Sequence, residues 1–171
     1  MKKKLPVYPR ILGIVPSTRG FGFALLEGLD TLADWGVKTV KGEKNDRAIL
    51  KVEALIELYQ PDVMVLEDTS VTPPARSSRI RALTRRIATV AKRRRVAVVL
   101  VTREQVRSSF FGEGPGTKQA LAEIVADRFS EELGFQLPPK RKPWMSEDHR
   151  MAIFEAVALA LVARRHRGKA I

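Results

Sequence analysis

Two apolar runs joined by a tight corner constrain the fold of this chain more than any other stretch. Residues 11–15 read ILGIV, residues 16–20 read PSTRG, and residues 21–28 read FGFALLEG. Apolar runs rich in β-branched and aromatic residues, separated by a Pro/Ser/Gly turn, predict two strands that lie antiparallel to each other. The first strand would then end at position 15, next to a loop that can approach a phosphate or a metal ion.

The remaining sequence predicts one further adjacent strand and then alternating helices and strands. The order βββαβαβαα favours an α/β fold, in which a mixed five-stranded sheet carries helices on both faces. No internal repeat or boundary divides residues 1–171, so we expect a single domain. The further predicted elements are strands over residues 31–40 (with a bulge at Trp35–Gly36), 63–66 and 97–101, and helices over residues 48–59, 79–95, 117–133 and 146–164, the last with Ser146 as N-cap.

The charge balance favours a polyanionic partner. Thirty-one Lys and Arg against nineteen Asp and Glu give a net charge of +12, and the excess is clustered. Such an excess attracts nucleic acids over long distances and binds them by counterion release. The alternative is a surface that is basic only for solubility.

Several classes of site and location are excluded by composition. There is no cysteine and there are only two histidines, His149 and His166, so thiolate and histidine-rich zinc sites are not expected. The apolar run after the lysine-rich start is interrupted by Pro16 and is too short for a signal peptide or a membrane span. We therefore expect a cytoplasmic protein without a membrane partner.

Glu67 is the strongest catalytic candidate. It follows the buried run VMVL, and open α/β sheets bind ligands at the carboxyl ends of their strands. If the strand that ends at Val15 lies beside this one, both side chains reach the same cleft. A solvated strand end or a helix-capping acid is the alternative interpretation.

Two acids of the last predicted helix are further candidates. Asp148 and Glu155 are seven residues apart, which places them on one helix face. Together with Glu67 they could hold Mg²⁺ or Mn²⁺, because these ions prefer oxygen ligands and a pair of them about 4 Å apart can promote phosphodiester hydrolysis. For Asp148 the alternative is favourable charge at a helix N-terminus.

Basic residues supply candidate nucleic-acid contacts. Arg79, Arg86 and Arg93 recur every seven residues and form one stripe along the helix predicted over residues 79–95, and Lys118 stands at a predicted helix start. Guanidinium groups pair well with phosphate oxygens, and helix starts attract phosphates. A solvated basic face is the alternative for the stripe.

Five stretches of this sequence match motifs that occur together in one enzyme family. They are Leu12-Gly13-Ile14 with Pro16 and Gly20–Phe23, the run from Tyr59 to Glu67, Gln105-Val106-Arg107, Gly112–Lys118, and the run from Glu155 to Leu161. In these stretches the sequence resembles the RuvC-type Holliday-junction resolvases of the ribonuclease-H-like superfamily. The resemblance also points to Arg107 as a counterpart of a family lysine.

The sequence departs from the family pattern at two acidic positions. Val15 stands where the family has its first metal-binding aspartate, and Ala152 stands where the family has another acid of the last helix. The resemblance implies a homodimeric, metal-dependent endonuclease for branched DNA, with the ion held by Glu67, Asp148 and Glu155. Because valine offers no ligand, two alternatives stay open: a binding-only protein of the same fold, or a shifted set of acids. A third is that Val15 is an engineered inactivating change. A separate hypothesis, an actin-like or sugar-kinase-like ATPase, would need a second glycine-rich phosphate loop, which the sequence lacks.

Overall fold

A five-stranded mixed sheet forms the centre of the protein in the computed structural model, which describes residue 4 and residues 6–71 and 75–167. Its order is β3-β2-β1-β4-β5. The first three strands pair antiparallel, whereas β1, β4 and β5 run parallel. The predicted sheet is therefore confirmed. The strands are β1 (Ile11–Pro16), β2 (Gly20–Glu27), β3 (Thr31–Thr39), β4 (Val63–Glu67) and β5 (Ala97–Val101).

Helices cover both faces of the sheet, as predicted. One face packs against the first two helices, and the other face packs mainly against the fourth and the last. No helix in the described part of the chain is long and apolar enough to cross a membrane. The helices are α1 (Lys44–Tyr59), α2 (Ser78–Arg93), α3 (Arg103–Phe111), α4 (Lys118–Arg128), α5 (Ser130–Leu133) and α6 (Met151–Arg167), with a 3₁₀ turn at Gly134–Gln136.

Helix α3 is missing from the sequence-based prediction. None of its residues is fully buried and only Val106 and Phe110 pack partly against the core, so its apolar periodicity is weak. Its start is defined by a capping box, in which the Thr102 hydroxyl accepts from the Gln105 backbone N–H and the Gln105 side chain accepts from the Thr102 backbone N–H. The other correction in this region concerns the helix predicted over residues 117–133, which is divided by the non-helical backbone of Phe129.

The last helix begins later than predicted. Its first residue is Met151, so Ser146 is not its N-cap and Asp148 lies before it. The bulge in β3 is also displaced from Trp35–Gly36, because the pairing with β2 skips Ala33. Leu32 and Trp35 both pack against the same core cluster. Side chains three residues apart in a regular strand face opposite sides of the sheet, so the extra residue of the bulge is what places both on one face.

Close approach of α6 to the sheet depends on two glycines. A Cβ at Gly13 would lie 2.4 Å from the backbone oxygen of Ala156, and one at Gly22 would lie 2.5 Å from the carbonyl carbon of Ala152. No larger residue fits at either position without moving the helix. The small residues of β1 and β2 thereby bring Glu155 of α6 to the end of β1.

Candidate functional site

Val15 and Glu67 lie side by side at the carboxyl ends of β1 and β4. The parallel pairing aligns Ile11 with Val63 and Gly13 with Val65, and the same spacing brings Val15 level with Glu67. Both line a cavity of about 210 Å³, together with Glu155. The expectation that the two strand ends share one cleft is confirmed.

Glu67 is held by two arginines. Arg76 binds it in a bidentate manner, with Nε 2.7 Å from Oε2 and a terminal nitrogen 3.0 Å from Oε1, and Arg103 Nε lies 3.0 Å from Oε1. The Glu67 and Arg76 side chains are only 15% and 17% exposed. Burial alone would raise the pKa of Glu67, but hydrogen bonding and charge from Arg76, with a smaller contribution from Arg103, hold that pKa below its ordinary value. Glu67 is therefore ionised and already neutralised.

Glu155 also has a basic partner. Lys118 Nζ lies 3.0 Å from a carboxylate oxygen of Glu155 and 3.1 Å from one of Glu147. Lys118 is the first residue of α4, whose N-cap Thr117 accepts a hydrogen bond from the Ala120 backbone. Its predicted place at a helix start is confirmed, and its contact with a phosphate stays a prediction.

Asp148 lies near this group but not on the helix face that the spacing suggested. It precedes α6, and its carboxylate accepts from the side chain of Arg150 at 2.8 and 3.0 Å and from the Arg150 backbone at 2.9 Å. The hydrogen bond from the Arg150 side chain is the main reason that the pKa of Asp148 falls to about 2. Asp148 still borders a second cavity, of about 170 Å³, that Arg76, Lys118 and Glu155 also line.

The donor set of this site does not fit a pair of divalent ions. Val15 and Ala152 are buried and apolar, and both oxygens of Glu67 accept hydrogen bonds from guanidinium groups. Over the described ranges, no three acidic or histidine side chains form a group that could hold a metal ion. Asp68 does not compensate, because it accepts hydrogen bonds from Ser70. Binding of Mg²⁺ or Mn²⁺ by Glu67, Asp148 and Glu155 stays a prediction that this arrangement does not favour.

The arginine stripe of α2 lies beside α1. Arg79 donates to the side chain of Asn45 and to the Ser17 carbonyl oxygen, and Arg86 forms an ion pair of 2.8 Å with Asp46. Arg93 is exposed near the end of α2. Two of the three stripe residues thus already have partners from elsewhere in the chain, and all three remain predicted nucleic-acid contacts.

The cavity that Val15, Glu67 and Glu155 line also has cationic side chains in its walls that were not predicted from the sequence as site residues. Arg76 comes from the segment after β4, and Arg103 comes directly after β5. The predicted Arg107 lines the same cavity, where it also donates to the Gly114 carbonyl oxygen at 3.0 Å. Arg103 could have been found by the rule that identified Glu67, because the ends of adjacent parallel strands meet at one edge.

The comparisons with known proteins identify the fold. Thermus thermophilus RuvC matches with a TM-score of 0.66 at 18% identity, over 94% of this chain and 96% of that one. The complex of T. thermophilus RuvC with a Holliday junction substrate gives 0.67 at 19%, over the same shares. The yeast mitochondrial Holliday junction resolvase Ydc2 gives 0.62 at 14%, over 96% of this chain and 82% of that one.

Sequence comparison alone finds no relative. No protein-family model matches the chain, and no curated protein matches it significantly. The structural likeness nevertheless extends over nearly the whole chain. This protein therefore has the RuvC-like, ribonuclease-H-type fold that the first strand pair and the Glu67 strand suggested.

Proposed function

We propose that this protein binds branched DNA at the edge that carries Val15, Glu67 and Glu155, and that it does not cleave it. The observation that carries this proposal is the pairing of Glu67 with Arg76 and Arg103. Carboxylate oxygens that accept hydrogen bonds from arginine side chains are not free to bind a metal ion. The resolvase fold and the net charge of +12 support branched DNA as the partner.

The charges of the cavity that Val15, Glu67 and Glu155 line suit a phosphate. Among the described residues of its lining are four cationic side chains, Arg76, Arg103, Arg107 and Lys118, and two carboxylates. Arg107 is also paired with Glu104, and Lys118 with Glu147. A phosphodiester could accept a hydrogen bond from Arg103, whose side chain is half exposed, without displacing the acids from their pairs. Val15 contributes an apolar surface and offers no ligand through which a water could be activated.

A metal-dependent endonuclease is the second candidate. It is supported by the position of three acids, Glu67, Asp148 and Glu155, around two adjoining cavities that share Arg76 and Lys118. If a DNA phosphate attracted Arg76 away from Glu67, the freed carboxylates would be oxygen donors of the kind that Mg²⁺ and Mn²⁺ prefer.

Cleavage and binding of a labelled four-way junction separate the two candidates, with a linear duplex of the same arm sequences as the control. The protein and its Val15→Asp variant would be assayed with Mg²⁺ and with Mn²⁺, and binding would be scored on the same gels. The proposal expects junction binding without cleavage by the unmodified protein. Cleavage that Glu67→Gln abolishes would establish the endonuclease instead. Absence of junction binding would refute both candidates.

The same proposal includes an assembly and a location. A four-way junction is symmetric, and a homodimer would present two equal binding edges to it. We propose a cytoplasmic homodimer built from one domain per chain. Light scattering at several protein concentrations measures the mass, and a monomer with and without junction would contradict the dimer.

A further inference from the structure

We infer that Trp144 is a stacking platform for a base left unstacked at the branch point, an inference that rests on the proposed binding of branched DNA. Trp144 belongs to a segment between the 3₁₀ turn and α6 that we call the basic arm, residues 137–146, with the sequence LPPKRKPWMS. Trp144 is 78% exposed. An exposed tryptophan on a surface segment of this kind calls for a partner, because the residue is normally largely buried.

The arm holds Trp144 at the tip of a tight turn. The Met145 backbone N–H donates to the Lys142 carbonyl oxygen at 2.9 Å, which closes a four-residue turn around Pro143 and Trp144. Proline at the second position of such a turn restricts the backbone before any ligand binds. A ring presented in this way loses little conformational freedom when a flat partner stacks on it.

Both ends of the arm are attached to the rest of the protein. Leu137 packs against the core, and the Pro138 carbonyl oxygen accepts a hydrogen bond of 3.2 Å from Gln119 of α4. At the other end the arm leads into the turn before α6, where Met151 N–H donates to the Asp148 carbonyl oxygen. The turn is thus carried by a fixed segment.

The charge around Trp144 specifies the chemistry of its partner. Lys140, Arg141 and Lys142 are exposed, and the arm contains no acidic residue. Lys142 Nζ lies 5.4 Å from the centroid of the Trp144 ring, close enough for a cation–π contact. Three cations beside an exposed aromatic ring are what a single-stranded nucleic acid requires, since phosphates pair with the cations while a base stacks on the ring.

The arm is continuous with the proposed DNA-binding edge. A cavity of about 740 Å³ lies beneath it, lined by Pro138, Arg141 and Met145 from the arm and by Lys118 and Glu147. Lys118 also lines the cavity that holds Glu67. A DNA strand that crosses this edge therefore passes next to the arm. Bases in a continuous duplex are covered on both faces by their neighbours, whereas a branch point interrupts that stacking.

Affinity measurements with Trp144→Ala and Trp144→Phe test the inference on a four-way junction and on a linear duplex. We expect Trp144→Ala to weaken junction binding by about 5- to 150-fold, the range for loss of one base–aromatic stack. The phenylalanine variant should recover much of this loss, and duplex binding should change by less than about twofold. Leu58→Ala is the matched control, because Leu58 is 69% exposed on α1 at the opposite sheet face.

A second readout uses the fluorescence of Trp144 itself. The chain has two tryptophans, so a Trp35→Phe background leaves Trp144 as the sole indole. The junction should quench its emission strongly and the duplex should not. Junction binding by the unmodified protein with no quenching, or equal losses on junction and duplex for Trp144→Ala, would overturn the inference and leave the proposed function standing. Quenching by anionic phosphatidylserine vesicles and not by the junction would assign the arm to a membrane surface. Absence of junction binding by the unmodified protein would refute both this inference and the proposed function.

Discussion

Replacement of Arg76 by methionine tests whether the positive charge of Arg76 neutralises Glu67 in the site. Methionine keeps most of the length of the arginine side chain and removes its charge. Breaking a buried ion pair on one side costs about 3–5 kcal/mol, because the remaining charge is stranded. Here the two side chains retain 17% and 15% exposure, and Arg103 stays 3.0 Å from Glu67. We therefore expect Arg76→Met to lower the free energy of unfolding by about 2 kcal/mol at pH 7.

The cost of this substitution should depend on pH in a definite direction. The lowered pKa of Glu67 means that its ionised form stabilises the folded protein above the ordinary glutamate value of 4.5. That stability is lost as the pH falls through the folded-state pKa. In the variant only Arg103 opposes the effect of burial, so we expect the pKa of Glu67 to rise. The stability difference between the two proteins should therefore be largest near neutral pH and shrink as the pH falls through the folded-state pKa of Glu67 in the unmodified protein.

Urea denaturation followed by circular dichroism measures the difference at each pH. The m-values of the two proteins should agree, which shows that the change lies in stability. Glu67→Gln in the Arg76→Met background should recover part of the loss, since no charge is then stranded. Arg93→Met, at an exposed site on α2, should change stability by less than about 0.5 kcal/mol. A loss of stability that does not shrink as the pH is lowered from about 7 through the acid range would refute the electrostatic reasoning and assign the cost to packing.

Three further predictions concern the helix contact, the basic stripe and the turn before α6. Gly13→Ala should cost about 1–3 kcal/mol in urea denaturation, because its Cβ would lie 2.4 Å from a carbonyl oxygen of α6, whereas Gly134→Ala, with no atom within 4 Å, should not destabilise. Arg93→Gln should lower the salt dependence of DNA binding by about one unit of slope, and Arg86→Gln, already paired with an acid, by less. Asp148→Asn should cost about 1 kcal/mol at pH 7, and the cost should shrink as the pH falls from 3.8 through about 2, as the carboxylate of the unmodified protein takes up its proton.

The sheet could be predicted from the sequence because its signals are local and strong. The apolar runs of β1, β2, β4 and β5 are continuous and end at turn residues or charged residues, so their bounds agree with the structure within about one or two residues. The proximity of Val15 and Glu67 followed from one rule about the ends of parallel strands. The bounds of these strands depend on local signals alone, whereas the proximity of Val15 and Glu67 also required β1 to lie beside β4.

The elements that were missed depend on tertiary contacts or on weak local signals. Nothing in the residues around Trp35 reveals that Leu32 must face the same core cluster, so the position of the bulge could not be read locally. Hydrogen bonds between Asp148 and Arg150 set the start of α6. The prediction from charge patterning alone placed that start earlier, at Ser146. The capping box at Thr102 and Gln105 was readable in the sequence and would have predicted α3.

The apolar residue at position 15 and the ion pairs of Glu67 are two parts of one electrostatic arrangement. Carboxylates crowded at one site raise one another's pKa values, and a divalent ion relieves that repulsion. With valine at position 15, Glu67 and Glu155 are the only carboxylates among the described residues that line the 210 Å³ cavity, and Arg76, Arg103 and Lys118 are enough to neutralise both. The absence of a ligand at the end of β1 and the presence of arginine at position 76 therefore favour the same state of the site, in which the counter-charge is carried by the protein itself.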